Sequence, residues 1–469
     1  PLNQWQIPQF YYIHQPQGSP SGLRYRGIEP TGALPESIDF PLIKAEEPNR
    51  FSALLFADTQ PQTQAELDYV RDDVISPLIG TDAKFGMTLG DILFDDLSMF
   101  PRLLAIIGEL GIPWYNVPGN HDINFLAEED RYSLETFKHY FGPPYYSFDY
   151  GDAHFVVLDN IEYAGTAEPT PDNLRGSGGY ILKFGEDQLA WLENDLSHVA
   201  PDRLVFLTMH GPLTTPIAPD AAGVNTADRR ELFRLLSGRE HLYAVAGHTH
   251  STNHYYYGED DGFEGPGEFH HHVLATVSGS WWSGPIDNRG IPIAEQHDGT
   301  PNGYHVLEVD GTELEVSYRA AGKSAEFQMR VSFDVTHQRS SASALRDYRM
   351  GELNDGRFSV DELPGVDLVV NLFDGGPRSR VRYRIDDGPM TEMKHTLMQD
   401  PNTLESFTRH ADTLKSWVKA RPSTHIWTAA LPADLGPGTY TLTVDATDEF
   451  GRDHHAHQVI EITGSSALP

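Results

Sequence analysis

The sequence predicts an α/β domain followed by an antiparallel β-sandwich-like domain, with a short β segment at the N terminus. Three observations carry this. The chain has 469 residues, more than one hydrophobic core serves, and roughly 150 residues per domain gives two or three domains. From residue 49 to about 320, apolar runs of strand length alternate with amphipathic stretches, as in α/β proteins. Beyond that, short segments of alternating apolar and polar residues take over, separated by turns, which is the pattern of a sandwich. The expected divisions are 1–48, 49–322 and 323–469.

Residues 1–48 are rich in Pro, Gly and aromatics and show no helical period; "QFYYIH" reads as a short strand. The strand-like runs of the next part are "FSALLFA" (51–57), "FGMTL" (85–89), "PWYNV" (113–117), "HFVVLD" (154–159), "RLVFLTM" (203–209) and "LYAVAG" (242–247). Between them "QAELDYVRDDVISPLI" and "GEDQLAWLENDLSHV" carry helical periodicity. The sandwich pattern is read from "HVLEVDGTELEVSYRA", "FQMRVSFDV", "VDLVVNLFD", "RVRYRID" and "TYTLTVDATD", with "TLESFTRHADTLKSWVKA" (403–420) interrupting it as a helix.

Composition narrows the function. With 34 basic against 68 acidic residues the net charge is -34, a field that repels nucleic acid and anionic lipid, so neither is expected as a partner. A local metal charge still lets small anions bind. No apolar run approaches the ~18 residues of a membrane helix. There are no cysteines, which removes thiolate catalysis, disulfides and Cys-ligated zinc together and suits an exported protein. The chain opens "PLNQWQIPQF", without an initiator Met or a signal sequence, and reads as a mature or trimmed form.

The chemistry sits where the strands end. "LLFA" runs into Asp58-Thr-Gln60, "GMTL" into Gly90-Asp91, "YNVP" into Gly119-Asn120-His121-Asp122, "FLTM" into His210-Gly211-Pro212 and "AVA" into Gly247-His248-Thr249-His250. Sites of α/β sheets lie at the carboxyl ends of the strands. A pair of divalent cations roughly 3.5–4 Å apart needs hard oxygen and imidazole ligands with one carboxylate shared. Asp91 is the natural bridge, since Gly90 lets the chain turn tightly before it. His248 and His250 are two apart, so an extended backbone puts both on one side. Gln60 and Asn120 add neutral amide oxygens. Taken singly each motif is also an ordinary turn; five in order at five strand ends are not. Asp122 is read either as orienting His121 or as a helix N-cap.

In this order D-x-Q, GD, GNH-D, H-G and GHTH resemble the calcineurin-like metallophosphoesterases, over roughly residues 50 to 310. The resemblance implies a four-layer α/β/β/α sandwich of two facing sheets and two divalent ions, Mn, Zn, Fe or Mg. Asp58, Gln60, Asp91 and His250 would hold one ion; Asp91, Asn120, His210 and His248 would hold the other. His121 would stand near the leaving group, making His121, Asp91 and Asn120 the catalytic set. Most of the family has D-x-H in the first motif; Gln60 replaces that histidine here, and the amide's weaker donation predicts weaker metal binding or a preference for Mn²⁺ or Mg²⁺ over Zn²⁺ and Fe. Downstream, "HHHVLATVSGSWWSGP", "GIP", "DGTPNGYHVLEVDG" and "STHIWTAALPADLGPGTYTLTVDATDEFGR" are similar to bacterial members with their own N- and C-terminal β-domains. Residues 1–48 resemble the tail of that N-terminal domain.

The expected reaction is phosphoester hydrolysis, with a hydroxide shared by the two ions attacking phosphorus in line and His121 donating a proton to the departing oxygen. A phosphodiesterase with some monoesterase activity is favoured, since a diester brings less negative charge to an acidic protein. The competing readings are an inactive surface or glycan-binding module on the same fold, and a phosphoprotein phosphatase. Trp281 and Trp282 form either a wall of the substrate pocket or a plug in the core. The expected partner is a small phosphoester, and the expected location is periplasmic or secreted.

Overall fold

The computed structural model describes residues 11–40, 44, 46–168, 170, 176–334 and 356–465. Its first sheet has the strand order Glu313–Ala320, Gly303–Asp310, Arg50–Phe56, Phe85–Leu89, Trp114–Val117. The last three run parallel, with Ala53 opposite Phe85 and Gly86 opposite Trp114, and Gly303–Asp310 pairs antiparallel with Arg50–Phe56. The second sheet runs Asn253–Tyr257, Phe269–Val273, His241–Ala246, Leu204–Thr208, Ala153–Val157, Tyr146–Tyr150.

These two sheets face each other through aromatic rings. Phe85 meets Phe155 at 5.2 Å and Phe148 at 5.6 Å, and Phe51 meets Phe155 at 6.2 Å. On the outer face of the second sheet, Val156, Val205, Leu207, Ala244 and Ala246 pack with Leu192 and Leu196 of the helix Glu186–Leu196 and with Leu232, Phe233 and Leu236 of the helix Arg229–Leu236. Burial on both faces is why these strands read as unbroken apolar runs. The architecture is the expected α/β/β/α sandwich. The helix expected after residue 63 starts at Thr63, whose side chain caps Glu66 N–H, and runs as α-helix Gln64–Tyr69, a π stretch Val70–Ile75 and a final turn Ser76–Leu78. Pro77, which cannot donate a helical hydrogen bond, follows the widened stretch.

The C-terminal part holds two further sheets, Met329–Asp334, Asp367–Leu372, Pro422–Ala430, Lys394–Gln399 and Arg357–Ser359, Asp453–Thr463, Gly438–Thr447, Arg380–Ile385, Thr391–Glu392. Phe333, Leu368, Val370, Leu372, Trp427, Leu442, Val444 and Ile460 fill the core between them.

Three sequence expectations are corrected. The hairpin read from "HVLEVDGTELEVSYRA" does not join the C-terminal sandwich but completes the first sheet; alternation marks an antiparallel strand buried on one face and does not say which sheet receives it. The interrupting helix spans only Pro401–Arg409, N-capped by Asp400. Past it the Thr413 hydroxyl donates to the His410 carbonyl at 2.8 Å and the backbone turns, a side-chain bond that competes with helix. Tyr11–His14 form no strand; the backbone here closes turns, Gly18 N–H to the Gln15 carbonyl and Ser19 N–H to Ile28. Gln9 and Phe10 lie outside the described residues.

The contacts divide the chain into two compact units. One comprises Pro1–Thr249, Tyr255–Ser278 and Gly303–Ser317; the other comprises His250–His254, Gly279–Asn302 and Tyr318–Pro469. The expected boundary at 322 falls just past Ser317, but two earlier segments also pack with the second unit.

Candidate metal centre

Strand ends of the first unit are latched to one another by short polar contacts. Both Asp58 carboxylate oxygens accept His248 N–H, at 3.1 and 2.9 Å. Gln60 N–H donates to the Asp91 carbonyl at 3.0 Å and the Thr59 hydroxyl to the Ile92 carbonyl at 2.7 Å. The Asp122 carboxylate is fully buried and accepts N–H from Gly119, Ile92 and Leu93. Asp122 therefore staples two of the loops; it neither orients His121 nor caps a helix. Close approach needs glycine: a Cβ at Gly247 would sit 2.1 Å from Asp58 Oδ2, and one at Gly90, whose φ is +80, would meet the His210 ring at 2.5 Å.

The imidazoles carry the electrostatic argument. His210 Nδ1 lies 2.8 Å from the Leu89 carbonyl, which only accepts, so the proton sits on Nδ1 and the Nε2 lone pair is free. His248 Nε2 likewise donates to the Gly223 carbonyl at 2.8 Å, leaving its Nδ1 lone pair free. These two nitrogens face each other at 3.1 Å. Asn120 Oδ1 is 3.1 Å and Asp91 Oδ1 3.2 Å from the same His210 Nε2. Four electron-rich atoms converge on one place, an arrangement that repels itself unless a proton or a cation lies among them.

The titration behaviour agrees. Burial lowers His210, but the charge of Asp91 outweighs it and raises the imidazole to about 9. Burial and the neighbouring His210 push His248 down to about 4. Burial pushes Asp58 up to about 7, whereas at Asp91 burial is overcome by His210 and His121, which hold the carboxyl well below the usual range. The cluster thus favours added positive charge, which divalent ions would supply. The ligand atoms of Asp91, His210 and His248 all lie within 4.8 Å of one another. Gln60 joins them through its side-chain amide, 2.7 Å from Asp91 Oδ2. The donor set fits hard or borderline divalent cations.

His121 stands beside this cluster. Its N–H donates to Asp91 Oδ1 at 2.9 Å, its Nε2 is 4.0 Å from Asp91 Oδ2 and its ring stacks on Phe94 at 4.4 Å. The carboxylate that orients it is Asp95, with Oδ1 2.7 Å from His121 Nδ1. The structure thus brings together Asp58, Gln60, Asp91, Asn120, His121, His210 and His248. His250, Trp281 and Trp282 belong to the second unit. There His250 is buried, its Nδ1 donates to the Gly279 carbonyl at 2.5 Å and its ring stacks on Trp281 at 3.6 Å. Trp281 is half-buried and also meets Trp417 at 6.1 Å, while Trp282 is buried.

Backbone strain marks the same residues. Among the described residues, non-glycine positive φ occurs at Asp58, Gln60, Asp91, Asp95, His248, His250, Trp281, Trp282 and Asp386. All but Asp386 are site candidates or, like Asp95, touch one, as expected where ligand geometry overrides backbone preference. Sequence reasoning missed Asp95, although an acid four residues after Asp91 was a usable signal. It also missed Asn160, whose amide brackets both backbone groups of Gly211 and fixes the turn after His210. Tyr180 is a third, edge-on to His248 at 6.0 Å, its hydroxyl pushed well above its usual range by burial and by Asp91 and Asp58.

An α/β/β/α sandwich whose strand ends gather carboxylate, amide and imidazole donors has the architecture of a metallophosphoesterase. Residues 52–252 match the calcineurin-like phosphoesterase family, and residues 271–454 match the C terminal of calcineurin-like phosphoesterase. The chain belongs to the calcineurin-like phosphoesterases, whose members use two divalent metal ions. Among curated proteins none matches it. Among solved structures it is similar to the purple acid phosphatase PPD1 from yellow lupin (Lupinus luteus) seeds, at 16% identity and a TM-score of 0.40, over 58% of this chain and 52% of that one. The chain thus spans about half the length of that protein.

Proposed function

We propose that the chain is a dinuclear-metal-dependent phosphoester hydrolase that prefers diesters and tolerates some monoesters. The opposed lone pairs of His210 and His248, each fixed by a backbone carbonyl behind it, are the observation that carries the reading. Asp91, Asn120, His210 and His248 would hold one ion, and Asp58, Gln60, Asp91 and His250 the other. When bound, the two ions supply a nucleophile from water at neutral pH and neutralise charge on the phosphoryl oxygens. The protein's own part is positioning. Asp91 stays ionised as the shared carboxylate, and Asp95 holds the His121 imidazole to deliver a proton to the leaving oxygen.

The diester preference is supported by the net charge of -34, which penalises a dianionic monoester more than a monoanionic diester. Among the described residues no helix is long and apolar enough to cross a membrane, and a periplasmic or secreted location suits the cysteine-free composition. The test is metal analysis of the purified chain, with hydrolysis of an aryl phosphodiester and its monoester before and after chelation. Two ions per chain and chelator-sensitive diester hydrolysis are expected. A chain that binds no Mn²⁺, Zn²⁺, Fe or Mg²⁺ and turns over neither ester overturns the reading. A monoester rate orders of magnitude above the diester rate overturns the preference alone.

A further inference from the structure

The segment His250–His254 follows His248 in the chain by one residue, yet it packs in the second compact unit with the C-terminal sandwich. Its contacts are directional. His297 N–H donates to the His250 carbonyl at 3.2 Å. Thr252 N–H donates to Asp298 Oδ2 at 2.6 Å, and the Thr424 hydroxyl lies 3.2 Å from the Thr252 carbonyl and 2.8 Å from Asn253 Oδ1. The same Asp298 oxygen is 3.0 Å from His425 Nε2, while Oδ1 accepts Thr300 N–H at 2.9 Å. His425 Nδ1 is 2.8 Å from Asn371 Oδ1, and Asn371 Nδ2 returns to the Asp298 carbonyl at 3.0 Å.

Thr252, Asp298, Asn371 and His425 are all buried. Thr424 and His425 lie on Pro422–Ala430 and Asn371 on Asp367–Leu372, paired strands of the sandwich. Leu368, Val370 and Leu372 point into the sandwich core, so Asn371 points out of its other face. Side chains of this unit grip the backbone on either side of Thr252, two residues from an imidazole held at φ +48. A non-glycine residue keeps that conformation only where its surroundings over-determine it. With His250 Nδ1 donating to Gly279, the surroundings also decide where Nε2 points.

We propose that the C-terminal sandwich positions a metal ligand: Thr424, His425 and Asp298 latch the segment that carries His250, so that affinity for one of the two ions depends on the C-terminal domain. The inference rests on His250 being a metal ligand, as proposed above. Outer contacts that orient a metal-bound imidazole are worth about 10- to 100-fold in affinity.

The test is Mn²⁺ titration of the full chain by calorimetry, with electron paramagnetic resonance separating coupled ion pairs from single ions. It compares wild type with Asp298→Asn, His425→Ala and the near-isosteric Thr424→Val, and with Val444→Ala in the sandwich core as a control. Wild type is expected to bind two ions as a coupled pair. Asp298→Asn and His425→Ala should weaken one ion about tenfold or more and replace the pair signal with that of a single ion. Thr424→Val should move the same ion in the same direction by less, and Val444→Ala should keep the pair while lowering the melting temperature. If folded Thr424→Val and Asp298→Asn bind both ions as wild type does, the latch is structural only and the proposal fails. It fails equally if Val444→Ala loses the same ion. A wild-type chain that binds no ion overturns the metal assignment, and the latch with it.

Discussion

His121 Nδ1 lies 2.7 Å from Asp95 Oδ1 while Phe94 stacks on the same imidazole at 4.4 Å, so a carboxylate and a ring together fix where Nε2 points. On the proposed assignment that nitrogen serves the leaving oxygen. Asp95→Asn keeps the shape but removes the charge that holds a protonated imidazole in place. The expected result is a fall in kcat of roughly 10- to 100-fold with KM little changed, within the range that positioned acid–base groups contribute. The loss should be larger for an alkyl leaving group than for a nitrophenolate, which departs without a proton. Steady-state kinetics on two diesters differing only in leaving group checks it; equal losses on both would remove His121 from that role.

The centre was legible because it needs residue types that buried strands otherwise exclude. A carboxylate, amide or imidazole two or three residues past the end of a largely buried strand stands out, and Asp58, Asp91, Asn120, His210 and His248 each lie there. What holds them was not legible. Asp95 is 26 residues from His121 and Asp122 is 30 from Ile92, and an acid in a loop looks the same whether it orients His121 or staples Gly119 to Ile92. Only the fold separates the two. Backbone acceptors such as the carbonyls of Leu89 and Gly223, which set the two imidazole tautomers, have no sequence signature at all.

The fold was legible to the same depth. Unbroken runs such as "LVFLT" reported strands buried on both faces. The hairpin Gly303–Asp310 and Glu313–Ala320 reported itself as antiparallel but not as the edge of the first sheet, because its partner Arg50–Phe56 is some 250 residues away in the chain. Likewise nothing in "HTHSTNH" indicates that His248 and His250 pack in different units.

Gln60 is the family departure with a measurable consequence. Its amide sits 2.7 Å from Asp91 Oδ2 in a residue held at φ +34, and it is buried. Replacing it by histidine substitutes a stronger, more borderline donor for a hard, weak one. Gln60→His is expected to shift preference toward Zn²⁺ or Fe and away from Mn²⁺ and Mg²⁺. Competitive loading followed by elemental analysis reads this directly. An unchanged metal ratio and unchanged total content would show that Gln60 contributes no ligand atom.

The last prediction concerns stability away from the centre. His154 on Ala153–Val157 lies between two carboxylates, Nδ1 2.9 Å from Asp149 Oδ1 and Nε2 2.9 Å from Asp195 Oδ2. Ser147 donates to Asp195 at 2.7 Å, and Arg203 lies 3.1 Å from Asp149. Carboxylates only accept, so both ring nitrogens donate and the imidazole is held as a cation. Burial lowers its pKa, but the two hydrogen bonds outweigh this and raise it above the ordinary 6.5; at Asp195 burial is in turn outweighed by His154 and Ser147, which lower it. The signs then follow from linkage. The raised His154 stabilises the fold fully below about 6.5, its unfolded value, and loses that contribution as pH rises through its folded value. The lowered Asp195 stabilises above its unfolded carboxyl value and loses its contribution as pH falls through its folded one. The pair is therefore most stabilising in mildly acidic solution. His154→Gln should lower the melting temperature by several degrees near pH 5.5 and by distinctly less at pH 9. Thermal melts of both proteins across that range decide it, and a deficit that is flat or grows with pH would mean that the imidazole is held neutral.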